Sequence, residues 1–517
     1  MARTDREKIA PAEPNELGWR ELKKVEGESH LGDLPRGETL VVLGHLSDLH
    51  VCDAESPSRI EYLDRYSDPD SKWRDEIGYV GTYRAQEILT TQVVTAMVDA
   101  LNEISSGPIT QKPIDAVVVT GDMTDNAQKN ETNWYLTALN GGEVIAASGN
   151  KENSEWVGSK NVPFDEKYWH PDGDIENGKF DEPISKYGFP VVKGLVEAAR
   201  KPFKSTGLKF PWFATYGNHD RLLQGTVAPD DDLNDLSIGN KRITGLPSDF
   251  KVPDIKPSVG EIGPVWYPHS DKSPSIEITA DERRAFNNAS EFAKAHLPTG
   301  GHGFTEWNVE SDRAYWYKEL EKVVLISLDT VNPWGGWQGS LDEAQLNWLN
   351  SKLSEYKNKY VLMLSHHPSV TLINDYAPAG KPRRVLRDEL FEVLDKHKNL
   401  IAWIAGHVHL HAALTHTRSD GSSFVEFTTA SQIDWPQQGR IVEIVKESGN
   451  IAIASTVIDH AGRVDWRDQE LDHLTMAGIS RALSLNDWQR RDDFNPVHRR
   501  EGENATRNVI WRVSDPF

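Results

Sequence analysis

Five apolar runs in this chain each end in a short polar motif, and that arrangement restricts the fold more than any other feature. The runs Leu40-Val41-Val42-Leu43, Ile114 to Thr120, Pro211 to Tyr216, Tyr360 to Leu364 and Leu400 to Ala405 read as buried strands. They lead into Asp48-Leu49-His50, Gly121-Asp122, Gly217-Asn218-His219-Asp220, His366-His367-Pro368 and Gly406-His407-Val408-His409. Between the first two, Ile88, Val93, Met97, Leu101 and Ile104 recur at helical spacing, so 85 to 105 is expected to be an amphipathic helix over a sheet. Helices are also expected near 341 to 356 and 385 to 398, with Ser340 as N-cap and Glu343 completing a capping box on the first of them. Strand, helix, strand, with polar residues at the strands' carboxyl ends, is an α/β pattern, and open α/β sheets bind ligands at those ends.

The motif residues are the donors a transition metal takes. Neutral imidazole and carboxylate suit Fe, Mn or Zn, and a two-metal site needs one ligand able to bridge. Asp122 is the natural bridge, and Asn218 offers a neutral amide oxygen. Asp48 and His50, two residues apart at the end of an extended segment, leave from one side and converge; His407 and His409 repeat that spacing. His219, next to Asn218, is placed to protonate a leaving group, with Asp220 available to orient or charge-stabilise it. Each motif alone reads as an ordinary turn. Five at five strand ends point to a dinuclear metal hydrolase.

The 517 residues allow one large catalytic domain with insertions. A net charge of -22 repels nucleic-acid backbones and anionic membranes, so neither a polymeric nucleic acid nor a membrane is an expected partner. A single cysteine, Cys52, excludes an intramolecular disulfide framework and reads as strand-end packing. The charged, proline-interrupted start carries no secretory apolar segment, which fits a cytoplasmic protein. Residues 1–36 read as an irregular arm, 37–465 as the catalytic domain, and 466–517 as a polar extension docked on the core. Within the domain, about 127–205 and 222–312 are far longer than ordinary loops and read as functional insertions. The runs Phe424 to Thr428, Ile441 to Val445 and Ile451 to Val457 suggest a second, more antiparallel sheet.

In order and spacing the five motifs resemble those of the calcineurin-like metallophosphoesterase superfamily, over about residues 38 to 465. The resemblance implies two facing mixed β-sheets flanked by helices. It implies two divalent or mixed-valence metal ions, one held by Asp48, His50, Asp122 and His409, the other by Asp122, Asn218, His366 and His407. His366 rather than His367 is the implied ligand because it stands two residues before Pro368; His367 is left to support a ligand or meet substrate. Met123-Thr124-Asp125-Asn126 lacks both the arginine of serine/threonine phosphoprotein phosphatases and the metal-binding tyrosine of purple acid phosphatases. Gly-Asp-Met-Thr-Asp, Gly-Asn-His-Asp and His-His-Pro are most similar to the cyclic-nucleotide and glycerophosphodiester phosphodiesterase branch.

The implied function is hydrolysis of a small phosphate ester, with a diester preferred, attacked by a metal-bridging hydroxide while His219 protonates the leaving group. A phosphomonoesterase on the same site, or a catalytically silent scaffold binding a partner protein, are the alternatives. Arg383 and Arg384 could clamp phosphate or lie in a solvated loop; Trp334 and Trp337 could stack on a base or pack over a glycine-rich turn; His302 could approach the site from its insertion. His411 and His416 read as ordinary polar residues.

Overall fold

The computed structural model describes residues 3–77, 80–252, 270–491 and 500–517. Two six-stranded mixed sheets face each other with helices outside them, the α/β architecture the resemblance implies. In the first sheet Glu38–Leu46, Ala116–Val119 and Trp212–Ala214 run parallel, continued on the other side by antiparallel Gln438–Lys446, Asn450–Asp459 and Val509–Ser514. In the second, Val323–Ser327, Tyr360–Leu364, Leu400–Ala405 and Ser423–Thr428 run parallel, with antiparallel Trp316–Glu319 and Ala412–Thr417 at the edges.

Strand alternation builds the layers. Leu325, Leu362 and Leu364 join the core between the sheets, while their neighbours Val324, Val361 and Met363 pack on the outer side with Leu349, Leu353 and Leu390. The last three belong to helices Glu343–Glu355 and Arg387–Leu394. Each such side chain, fully buried, contributes about 1.5–3 kcal/mol. On the other side, helix Thr90–Ile104 covers the first sheet with Val94, Met97 and Leu101. Its opposite face is buried too, Val93 and Ala96 meeting Ala477 of helix His473–Leu485.

Five sequence expectations need correction. The arm is not irregular: Glu7–Pro14 and Arg20–Glu26 form an antiparallel hairpin, and Thr4 N–H donates to Val457 O at 3.1 Å. The first insertion does not begin at 127, because Lys129–Asn140 is a helix whose Trp134, Tyr135, Ala138 and Leu139 belong to the main core. The strand at 424 to 428 does not join 441 to 445 and 451 to 457; it pairs parallel to Leu400–Ala405 in the other sheet. The extension after 466 supplies Val509–Ser514, the edge strand of the first sheet. The helix at 343 is capped by Asp342, which accepts from Gln345 N, and not by Ser340. Leu341 pairs with Val385 as an isolated bridge, which keeps the chain extended past Ser340 and delays the first helical turn.

Among the described residues, no helix is long and apolar enough to cross a membrane.

Candidate metal centre

The parallel strands bring all five motifs to one place beyond their carboxyl ends. Asp48 and His50 are not on an extended segment, as their spacing suggests. The strand ends at Leu46, and Asp48, His50, Asp122, His407 and His409 all adopt left-handed backbone, with φ of 52°, 44°, 51°, 71° and 54°. Such conformations cost about 1–3 kcal/mol each and persist where surrounding structure holds them. The motif glycines make room for this crowding. A Cβ on Gly121, itself at φ 88°, would lie 2.6 Å from His366 Nδ1, and one on Gly217 would lie 2.2 Å from Asp122 Oδ1.

Two donor sets share one carboxylate oxygen. In the first, His50 Nε2 lies 3.2 Å from His409 Nε2, which is 3.3 Å from Asp48 Oδ1. In the second, His366 Nε2 lies 3.2 Å from His407 Nδ1. Asp122 Oδ2 stands between the sets, 3.7 Å from His50 Nε2 and 3.1 Å from His366 Nε2. Its other oxygen accepts from His219 N at 2.8 Å. Asn218 Nδ2 donates to Gly225 O at 3.0 Å, and its Oδ1 is buried with no partner among the described residues.

Hydrogen bonds fix which nitrogens are free. His50 Nδ1 donates to Asp125 Oδ1 at 2.9 Å, His409 Nδ1 to Asp434 Oδ2 at 2.7 Å, and His366 Nδ1 to Thr120 O at 2.8 Å. In the neutral imidazoles each Nε2 is therefore a bare lone pair. His50 and His409 in their neutral forms aim two such pairs at each other, an arrangement that a proton or a metal cation between them relieves. The orphaned Asn218 oxygen asks for the same thing beside the second set. Residues and chemistry fit two metal ions, with His407 offering Nδ1 and the other histidines Nε2.

The electrostatics agree. Burial disfavours charge on His366, but the Asp122 and Asp48 carboxylates outweigh it and push the imidazole up to about 9. Burial likewise opposes ionisation of Asp122, and the surrounding imidazoles, His366 first, hold its carboxyl well below the usual range. A cation bound among these atoms takes the place of the imidazole proton, so binding releases protons.

His219 packs edge-on against His50, ring centroids 4.4 Å apart, and its Nδ1 donates to Asp125 O at 2.7 Å. Burial lowers this imidazole to about 4. Asp220 does not orient the His219 ring, contrary to the sequence expectation. Its Oδ1 accepts from Thr124 N at 2.9 Å and its Oδ2 from Gly217 N at 2.9 Å, so it ties two motif loops together. Asp125 does the orienting, and the sequence reading passed over that role although the third position after Asp122 marked it. Asp434 was missed altogether, and nothing around Gln432-Ile433-Asp434-Trp435 signals it.

His367 lies beside His366 and His407. Both its nitrogens are engaged: Nε2 donates to Trp337 O at 2.9 Å, and Nδ1 accepts from Thr330 Oγ1 at 2.8 Å. Trp337 stacks on His407 with ring centroids 5.5 Å apart, whereas Trp334 lies under the Arg384 guanidinium. Neither arginine reaches the centre: Arg383 pairs with Glu389 at 2.8 Å, and Arg384, buried and not solvated, bonds Ser340 and Val331. His302 is also elsewhere, stacked at 3.6 Å on Trp212 near the amino end of its strand. His411 bonds Gln438 and Arg440, and His416 bonds Glu426. Buried Cys52 touches Arg59 at 2.7 Å and is not among the clustered donor atoms.

No protein-family model matches this chain. Over 104 residues, 20% of its length, it is 29% identical to a probable glycerophosphodiester phosphodiesterase, GpdQ, of Arcobacter nitrofigilis. The match spans 37% of that protein, so the chain covers about a third of this curated relative. Among solved structures, a dimetal phosphatase from Danio rerio aligns at 12% identity over 82% of this chain and 100% of its own, with a TM-score of 0.34. GAP50, the anchor in the inner membrane complex of Plasmodium, aligns at 10% identity over 83% of this chain and 87% of its own, with a TM-score of 0.26.

Proposed function

We propose that this chain, which resembles the calcineurin-like metallophosphoesterases in its ordered motifs and its two facing mixed sheets, hydrolyses phosphate esters at a two-metal centre, with phosphodiesters as substrates. The observation that carries this reading is the position of Asp122 Oδ2 between two sets of converging lone pairs. Asp48, His50, Asp122 and His409 would hold one ion; Asp122, Asn218, His366 and His407 would hold the other. Bound there, the ions would offset charge on the phosphoryl oxygens and lower the pKa of water enough for attack at neutral pH.

The chain's own residues do the rest. Asp125 fixes the His50 and His219 rings, so that His219 Nε2 meets the leaving oxygen. As an imidazolium, His219 would give its Nε2 proton to the leaving oxygen, and the anionic ester favours that protonated form. Proton donation of this kind contributes about a hundred- to ten-thousandfold. The match to a probable glycerophosphodiester phosphodiesterase supports the diester reading.

Metal analysis and turnover test the proposal together. The purified protein is expected to hold two transition-metal ions per chain and to hydrolyse bis(4-nitrophenyl) phosphate faster than 4-nitrophenyl phosphate. Asp122→Asn should lose both metal and turnover. His219→Ala should slow an alkyl diester far more than the nitrophenyl ester. A metal-free, inactive protein would overturn the reading, and preference for the monoester would overturn its diester part.

A further inference from the structure

Gln224 Nε2 and Trp337 Nε1 are among the buried N–H donors that have no partner among the described residues. Unspent buried donors are costly and so are rare in a native fold. They belong to segments joined to each other, Gly336 N donating to Thr226 O at 2.8 Å. Each segment also packs on the metal-ligand motifs. Trp337 stacks on His407, and its backbone is held by His367. Gln224 precedes Gly225, where a Cβ would lie 2.4 Å from His219 Nε2 and 2.5 Å from Asn218 Nδ2.

The backbone at Gln224 is strained. Leu223 to Thr226 is a tight turn, closed by Thr226 N to Leu223 O at 3.1 Å, with φ of 50° at Gln224 and 65° at Gly225. Two left-handed central residues make a type I′ turn, which favours Asn, Asp or Gly at the position Gln224 takes. A residue that is unfavourable for its backbone, keeps a side-chain N–H unspent and adjoins the glycine packed on His219 is placed for use by a ligand.

Charge narrows the ligand. Of the guanidinium groups near this network, Arg59 pairs with Asp125, Arg84, Arg490 and Arg500 pair with Asp434, and Arg384 bonds Ser340 and Val331. The unspent donors are neutral. Arginine forks suit doubly charged phosphoryl groups, whereas two neutral N–H groups match the two non-bridging oxygens of a singly charged diester.

We propose that Gln224 and Trp337 are specificity-determining residues of this centre, their amide and indole N–H groups donating to the non-bridging oxygens of a phosphodiester monoanion. The assignment rests on the reading of the centre as a phosphate-ester site. Gln224→Gly and Trp337→Phe test it, since glycine suits the left-handed turn and phenylalanine keeps the ring against His407. Each variant should keep two metals and the thermal stability of the parent, or gain stability in the case of Gln224→Gly. Each should raise KM for a diester about ten-fold, the loss of one hydrogen bond, and change kcat less. In the metal-loaded parent labelled with 15N-tryptophan, diethyl phosphate should shift the indole N–H resonance that Trp337→Phe removes. It should do so at lower concentration than inorganic phosphate. Unchanged KM in both variants, or an unmoved Trp337 resonance, overturns the proposal while leaving phosphoesterase activity standing. A shifted resonance in a parent that hydrolyses no phosphate ester overturns the proposed function and leaves the anion contact standing.

Discussion

Asp434 holds the Nδ1–H of His409, and in the proposed centre it would act through ring orientation and basicity, not through direct ligation. Burial works against its charge, but Arg490, Arg500 and Arg84 keep the carboxyl well below its usual range, so it stands ready as an acceptor at neutral pH. Asp434→Asn weakens that acceptor and should lower metal affinity about 10–100-fold at the set containing His50 and His409. The set containing His366 and His407 should be nearly unchanged. Calorimetric titration of the metal-free protein should then resolve one weakened and one parental site, and equal weakening of both would sink this account. The residues proposed as ligands were legible because each sits in a recognisable motif, whereas Asp434 is 25 residues from the histidine it bonds and nothing local announces the contact. Asp220 was misread for the converse reason. It neighbours His219 in sequence, yet in the tight turn Asn218–Asp220 its carboxylate folds back to Gly217 N and away from the imidazole.

The helix Glu343–Glu355 shows how a local signal can be right in kind and wrong in place. Ser340 and Glu343 have capping-box spacing, but the bridge from Leu341 to Val385 holds that stretch extended, and Asp342 caps instead. Ser340 is left to accept from Arg384 Nε at 2.9 Å. Asp342→Ala should therefore cost about 0.5–2 kcal/mol in urea unfolding, whatever stands at 384. Ser340→Ala should also destabilise, by leaving a buried guanidinium N–H unpaired, and that cost should vanish in an Arg384→Met background. Costs that do not separate in this way would show that the two residues act on one structure. The parallel strands were legible as apolar runs, but partners were not. Phe424 to Thr428 has the same alternation whichever sheet it joins, and only pairing with Leu400–Ala405 decides. Helix Lys129–Asn140 was hidden by a polar face rich in Asn and Thr, which resembles a loop until Trp134, Tyr135, Ala138 and Leu139 are seen to share its buried side.

At the scale of the whole molecule, the chain's last part closes over its first, and a titrating carboxyl sits in that closure. Asp64 accepts from Thr82 N at 3.1 Å and from Gln489 Nε2 at 2.7 Å, while Asp68 accepts from Trp488 Nε1 at 2.7 Å. The two-sheet core was readable from strand order, but this closure was not, since residues 64 and 489 share no pattern that links them. Burial, and next the nearby Asp68 and Asp487 carboxylates, push Asp64 up from 3.8 to about 8. The native state thus keeps a proton that the unfolded chain releases near pH 4. The stability tied to that proton is fully present below about pH 4 and is lost as pH rises through about 8. Asp64→Asn keeps the shape without the titration. The melting temperature of the parent relative to this variant should fall progressively above pH 4 and level off above about pH 8. Thermal unfolding of both proteins across pH 4 to 9 measures the difference directly. A difference that does not change with pH would mean that Asp64 keeps an ordinary carboxylate in the folded chain and that the closure does not depend on its proton.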